Sequence, residues 1–575
     1  MNDDSKQRWE AERVGLAVFL TAVVLHGFLL VKLGRPWPGG ARADANVYLE
    51  LAMNLWRDGT FGTRVAIDYP PLYPIFIAPA FAIASNAARF AFIYFLHALM
   101  LGLCSLALVP PLQRQLGARH AWYVIAALQF LGATTFLGYG VQTEILFASL
   151  IVAATGMCWQ AWDRPSMPRW AVVGFICGLA LCTRRTGLVL PIALGILWLT
   201  DGVAARRSGQ PLPLKRGLAM LLGFLLGLLP EVFAVIAGGG MIDTYGGNPV
   251  KGHLKAAADG MTSLQGFRWG AELVVRHLAY LVIVTLGAPL AIVAMLFRRK
   301  SLPPLPLRRA GAFVLLVGLG LVALTSMHIL RDYLKALAFW DLYPRYVDPP
   351  ELALVAMGLL SMFWLQGERG ERESWGRRLA GPVTVAFLVC GLLAASGPVA
   401  KARGAHHPRP DFLAEWGIPD GLIPWFLLGV GVVSMAGWVV LWVRRRTRLR
   451  TLLVGFLVAS WLLGGMSLWV RLTSPVPDRS PSVLRLPALK KAPEAPLGIV
   501  VKKRGFGSRD YYLPAFRSDH PVWFLAPGQE LRSWTESQSQ GFVLVRKADG
   551  PLRGYADLTL QGRSKEWLVY RRAAP

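Results

Sequence analysis

The sequence predicts an all-α polytopic membrane protein of about thirteen transmembrane helices, followed by a small α/β domain at its C-terminal end. Three observations predict it: long apolar runs, basic residues gathered into alternate loops, and an abrupt change of composition after Arg471. Of 575 residues, 54% are hydrophobic and only 17% charged, where soluble domains usually carry about 25%. Many runs reach the roughly 20 residues that a helix needs to cross about 30 Å of hydrocarbon.

The first run, 14–33, is longer than the apolar region of a signal peptide and has no small-residue cleavage site behind it, so it reads as a retained span. Further spans are predicted near 88–111, 120–138, 141–162, 170–183, 186–200, 217–237, 272–297, 310–328, 346–366, 379–397, 422–443 and 451–471. The fifth and sixth are short and meet at Thr183-Arg184-Arg185-Thr186, which fits tilted or re-entrant segments.

A net charge of +27 in a soluble protein would point to nucleic acid. Here the basic residues cluster around Arg114, Arg164, Arg206 to Arg216, Arg298 to Arg309, Arg369 to Arg378 and Arg444 to Arg450. These are alternate short loops, so the charge reports a cytoplasmic side and not a nucleic-acid partner. With the N-terminus inside, residues 473–575 are expected to be extracytoplasmic and residues 1–472 to form the membrane domain, in a cell inner membrane. Cys104, Cys158, Cys177, Cys182 and Cys390 all sit in apolar runs without metal-ligand spacing and read as small core residues.

The first outer loop, 34–87, is long and carries a helical pattern from Asp44 to Asp58. Val47, Tyr48, Leu51 and Leu55 form one stripe, while Asn46, Glu50, Asn54 and Arg57 face away from it. Gly59 is a natural stop. Such a helix is expected to lie in the membrane interface. A rigid turn, Tyr69-Pro70-Pro71-Leu72-Tyr73-Pro74, follows it and leads into the apolar stretch 75–84. After Arg471 a proline-rich linker leads to predicted strands at 498–501, 522–525, 542–545 and 567–570 and a short helix at 508–516.

Charged residues at membrane edges are costly and mark candidate sites. Asp44 opens the loop helix, either as its N-cap or as a general base towards a hydroxyl. Arg184 and Arg185 are adjacent cations at an outer junction, suited to a phosphate or to snorkelling into headgroups. Glu144 at the start of the fourth span is a partner for an arginine or a metal. Arg345, with Tyr346 beside it at the tenth span, is another phosphate-ligand candidate.

In this order and on one side of the membrane, these pieces resemble the GT-C superfamily of membrane glycosyltransferases. The similarity is to its protein O-mannosyltransferase and aminoarabinose lipid A transferase branch. Asp44 with Tyr48, the turn bearing Tyr69 and Tyr73, Thr143-Glu144, Arg184-Arg185, and Arg345-Tyr346 ahead of Pro349 carry the resemblance, across residues 10–370. It implies an inverting transfer of a sugar from a polyprenyl-phosphate donor to a lipid, glycan or protein acceptor at the extracytoplasmic face. Asp44 is then the base, and the arginines and tyrosines bind substrate. Two departures stand out: Ala45 follows Asp44 where many relatives have a second acid, and Arg184-Arg185-Thr186 replaces a lysine or an Arg-Pro-Glu type sequence. Some members use a divalent metal, so a metal is left open. A transporter or a non-catalytic assembly protein are the rival classes; no repeated halves with broken helices, the mark of many transporters, are visible.

Overall fold

The computed structural model describes residues 3–33, 43–62, 69–131, 137–138, 140–238, 262–285, 287–298, 302–334, 347–367, 486–490, 492, 495–501, 520–538, 541–552, 555, 558–564 and 566–572. The membrane domain contributes α1 (Asp3–Leu33), α2 (Ala43–Asp58), α3 (Leu72–Ile77), α4 (Asn86–Ser105), α5 (Val109–Leu116), α6 (Ala118–Leu128), α7 (Thr143–Asp163) and α8 (Met167–Thr183). It continues with α9 (Val189–Arg207), α10 (Leu214–Gly227), α11 (Leu229–Gly238), α12 (Leu264–Val284), α13 (Ala288–Leu296), α14 (Leu305–Leu334) and α15 (Glu351–Gly367). The predicted spans from 14–33 to 346–366 fall wholly or in part on these helices: 120–138 coincides with α6 only as far as Leu128, and 272–297 is divided between α12 and α13; those at 379–397, 422–443 and 451–471 lie outside the described residues. Glu12–Lys32, Asn86–Leu116, Thr143–Asp163, Arg185–Arg207, Leu214–Gly238 and Leu305–Leu330 are long and apolar enough to cross a membrane.

α7 is the hub. It packs on α4, α8, α14 and α15 and is buried along nearly its whole length, which is why its sequence is apolar on every side. α8 and α10 meet most closely. Gly174 and Gly178 on α8 face Gly223 and Gly227 on α10, and a Cβ at any of the four would run into a carbonyl of the opposite helix. Without a hydrophobic driving force in lipid, small residues four apart are what let two backbones approach and gain dispersion contact. α8 and α9 form two arms joined by a turn of 3₁₀ helix at Arg185–Leu188. The basic loops are stapled at one end of the bundle by Arg114–Asp163, from α5 to α7, and Arg309–Asp201, from α14 to α9.

α2 buries residues on both of its sides: Val47, Tyr48 and Leu51 of the apolar stripe, and Asn46, Glu50 and Asn54 opposite them. At its end Arg57 donates a hydrogen bond to the Val522 carbonyl of the C-terminal domain at 2.7 Å.

That domain is a five-stranded sheet of β1 (Leu497–Val500), β2 (Val522–Leu525), β3 (Phe542–Arg546), β4 (Leu558–Arg563) and β5 (Trp567–Arg572), in the order β2-β1-β3-β5-β4. β2, β1 and β3 run parallel, while β5 is antiparallel to β3 and β4. Both faces are apolar. Val500, Val543, Val545 and Leu568 pack with Leu531 and Trp534 of α16 (Gln529–Ser537). Leu497, Ile499, Phe524, Leu544 and Val569 join the same continuous buried cluster as the membrane helices. The sequence did not announce α16, whose Leu531, Trp534 and Thr535 sit at helical spacing, nor β4, an edge strand with few apolar residues. The predicted helix at 508–516 lies outside the described residues.

Candidate active site

The polar machinery gathers at the end of the bundle that carries the C-terminal domain. Asp44 is the second residue of α2. It stands in the first turn of the helix as described, Ala43–Asp58. An acid in a first turn is favoured by the helix dipole. One turn on, Tyr48 contacts both tyrosines of the proline turn: its ring centroid lies 5.2 Å from that of Tyr69 and 5.3 Å from that of Tyr73, each edge to face. Edge-to-face pairs at this distance are the favourable arrangement for aromatic quadrupoles.

Tyr73 is fully buried, and its phenol oxygen lies 2.9 Å from His97 Nε2. His97 Nδ1 lies 2.7 Å from the Gly138 carbonyl. A carbonyl only accepts, so Nδ1 carries the proton, Nε2 accepts, and Tyr73 donates. Burial, with Tyr94 and Tyr48 nearby, raises the Tyr73 phenol well above its ordinary value, so it remains a donor; a bond from the Gln142 backbone works weakly the other way. Gln142 is the residue that opens onto α7, so Tyr73 ties the outer loop to α4 and to the start of α7 at once.

Glu144 lies in the first turn of α7 and is fully buried. Its Oε1 is 2.8 Å from Nη1 of Arg184, whose side chain is 10% exposed. Arg184 caps the C-terminal end of α8. Acid at one helix start and base at the next helix end complement both dipoles. Arg185 turns away to Glu231 at the head of α11, at 2.5 Å, with a third of the Arg185 side chain exposed. The two guanidinium groups bind two different carboxylates. α3 packs on both α8 and α11, so the tyrosine turn sits against this charged junction.

Arg345 and Tyr346 lie outside the described residues. Nearby in sequence, Asp348 is buried and accepts a hydrogen bond from Tyr280 at 2.8 Å. Sequence reasoning missed His97, Glu231 and Tyr280, each a polar residue inside a predicted span, a signal that was there to be weighed. For a divalent metal, no group of three or more His, Cys, Asp and Glu converges among the described residues. Glu144 and Glu231 are each paired with an arginine.

Fold and site together define a multi-pass membrane protein whose polar groups converge beneath a small α/β domain. A family model for Dolichyl-phosphate-mannose-protein mannosyltransferase matches residues 68–229. The fold is similar to that of ArnT from Cupriavidus metallidurans bound to undecaprenyl phosphate, at 17% identity and a TM-score of 0.52 over 97% of this chain and 98% of that one. The apo state of the same protein gives 0.50 at 17% identity, with the same coverage of each chain. Arabinosyltransferase EmbB from Mycobacterium smegmatis, at 15% identity, is matched over 80% of this chain and 41% of that one, with a TM-score of 0.43. Among curated proteins none matches the chain in sequence. At this identity the likeness to ArnT is one of fold.

Proposed function

We propose that the chain transfers a sugar from a polyprenyl-phosphate donor to an acceptor hydroxyl at the extracytoplasmic face, with inversion at the anomeric carbon. The observation that carries this reading is that, in a GT-C fold, the tyrosine turn bearing Tyr69 and Tyr73 packs both on Tyr48 of the helix that bears Asp44 and on the junction bearing Arg184 and Arg185. ArnT, with the same fold, binds undecaprenyl phosphate, which supports a lipid-phosphate carrier here.

In the proposed step Asp44 takes the acceptor proton while the acceptor oxygen attacks the anomeric carbon. The bond from that carbon to the phosphate oxygen breaks, and polyprenyl phosphate leaves with the electron pair. Developing charge on the phosphate is stabilised by fixed cations in a low-dielectric site. Arg185, the more open of the pair, meets the phosphate, with Arg184 adding its field and Arg345 a third cation. The tyrosines line the path of the sugar, Tyr346 at the Arg345 side. The acceptor is a lipid, a glycan or a protein; the three share the nucleophilic hydroxyl.

The test is purified protein in proteoliposomes given a panel of labelled polyprenyl-phosphate sugars with envelope lipid, glycan and peptide acceptors. Transfer of label with release of polyprenyl phosphate is the expected result. Passage of label across the bilayer without bond cleavage would make the chain a transporter. For orientation, a cysteine at the exposed Gln561 should react with an impermeant maleimide in intact spheroplasts; the described native cysteines are buried or half-buried and give little background.

A further inference from the structure

We propose that Arg57 is a positioning residue that fastens the C-terminal domain to the end of α2 and so fixes the helix that begins with Asp44. The proposal rests on the transferase reading for its kinetic consequence, though not for its structural one. Arg57 lies in the last turn of α2, where a cation is favoured by the helix dipole. Its Nη1 donates to the Val522 carbonyl at 2.7 Å, across 465 residues of sequence. Its guanidinium carbon stands 5.0 Å from the Trp523 ring centre, within cation–π range. Nε and Nη2 both donate to Asp58, at 2.9 and 2.6 Å, which orients the plane, and Nη2 reaches Asn54 Oδ1 at 3.4 Å.

The acceptor is well chosen. β2 is an edge strand, and the Pro521 and Leu525 carbonyls are spent on Leu497 and Val501 of the β1 side. Alternation along the strand puts the Val522 carbonyl on the open edge, where Arg57 meets it. Trp523 in turn lies 6.0 Å from Trp534 of α16, so the contact is rooted in the domain's own core. On the other side, Asn54 Nδ2 donates to the Gly62 carbonyl at 2.9 Å and Phe61 N–H to the Ala237 carbonyl at 3.2 Å, anchoring the chain after α2 on α11. The tail of the helix is thus held between two bodies, and its head carries the acid. An arginine does this where a lysine cannot, because one planar group bonds forward, bonds back and stacks.

The test compares wild type with Arg57→Ala, Arg57→Lys and Trp523→Phe by hydrogen exchange and by kinetics. In Arg57→Ala, exchange of α2 amides is expected to rise at least about tenfold, as local opening becomes easier, with α7 unchanged. Turnover should fall on the order of tenfold to a hundredfold, as small misplacements of a catalytic group do, with the donor KM within about twofold. Arg57→Lys should fall between the two, and Trp523→Phe, which keeps a ring, should stay near wild type. Unchanged α2 exchange in Arg57→Ala overturns the fastening; faster exchange with wild-type turnover overturns the positioning role. A wild-type protein without transferase activity removes the proposed function, while the exchange arm still decides the contact.

Discussion

Both ends of the helix bundle carry carboxylate–arginine pairs, and the two ends use them differently. Away from the C-terminal domain, Asp201 is held by Arg309 and by the Trp162 indole N–H at 3.0 Å, and Arg114 pairs with Asp163. Asp201 shares a small pocket with Trp162, Trp170 and Trp198, and Trp198 donates to the Pro213 carbonyl. These contacts join helices of the bundle to one another. At the domain end, Glu144–Arg184 and Glu231–Arg185 sit against the tyrosine turn and the helix that carries Asp44. The chemistry of the pairs is the same at both ends. What differs is the neighbourhood, which at the domain end includes the tyrosine turn and the start of the helix that carries Asp44.

The largest expected effect is at that helix start. Asp44→Asn keeps the size and polarity of the side chain and gives up only a first-turn charge, worth about 0.3–1 kcal/mol. It removes the base, and such losses run on the order of a hundred- to ten-thousand-fold. Purified Asp44→Asn should therefore insert, bind donor and unfold nearly as wild type does, yet transfer sugar at least about a hundred times more slowly. If it keeps more than half of wild-type turnover, Asp44 serves the helix alone and the domain end loses its catalytic distinction.

Next comes the buried pair. Glu144→Gln strands the Arg184 charge where little water reaches it, and breaking a buried pair from one side costs about 3–5 kcal/mol. Thermal unfolding in detergent should show that loss, and adding Arg184→Met to make both partners neutral should recover most of it. A double variant no more stable than Glu144→Gln would mean that the pair is held by its surroundings and not by its charges.

Arg185 is the sharper probe of the comparison, because it is paired but a third exposed. Arg185→Gln should raise the apparent donor KM on the order of tenfold, the scale of a lost hydrogen bond to a charged group, with little change in unfolding temperature. An unchanged donor KM would return Arg185 to a structural role like that of Arg309.

The sequence showed where these helices lie better than what they hold. Long apolar runs gave the spans from 14–33 to 346–366, since hydrocarbon thickness constrains length directly. The stripe Val47, Tyr48, Leu51, Leu55 gave the inner face of α2. What its outer face meets was not legible there, because Arg57 and the Val522 carbonyl lie 465 residues apart and no local pattern encodes their contact. Glu144 was recognisable as an acid in need of a partner; which arginine supplies it depends on how α7 and α8 pack. The glycines at 174, 178, 223 and 227 spell that packing in a spacing of four, legible in principle and passed over. Glu231 was hidden for a different reason: it sits inside an apolar run, 217–237, whose average hydropathy conceals one acid.

The smallest expected effect belongs to the far end and calibrates the rest. Arg114 pairs with Asp163, but half of its side chain is exposed, so water and salt screen the attraction. Exposed pairs of this kind contribute about 0–1 kcal/mol. Arg114→Gln should therefore shift the unfolding temperature by a degree or so at most and leave both turnover and donor KM as they are. Because Arg114 lies in a loop of the basic end, the same variant also tests whether charge there matters to catalysis at a distance. A donor KM raised as much as in Arg185→Gln would show that cations anywhere on the chain attract the anionic donor through long-range field alone. Raising the salt concentration then separates the two cases, since a long-range field fades over a Debye length of about 8 Å at physiological ionic strength while a direct guanidinium–phosphate contact at the junction of α8 and α9 persists.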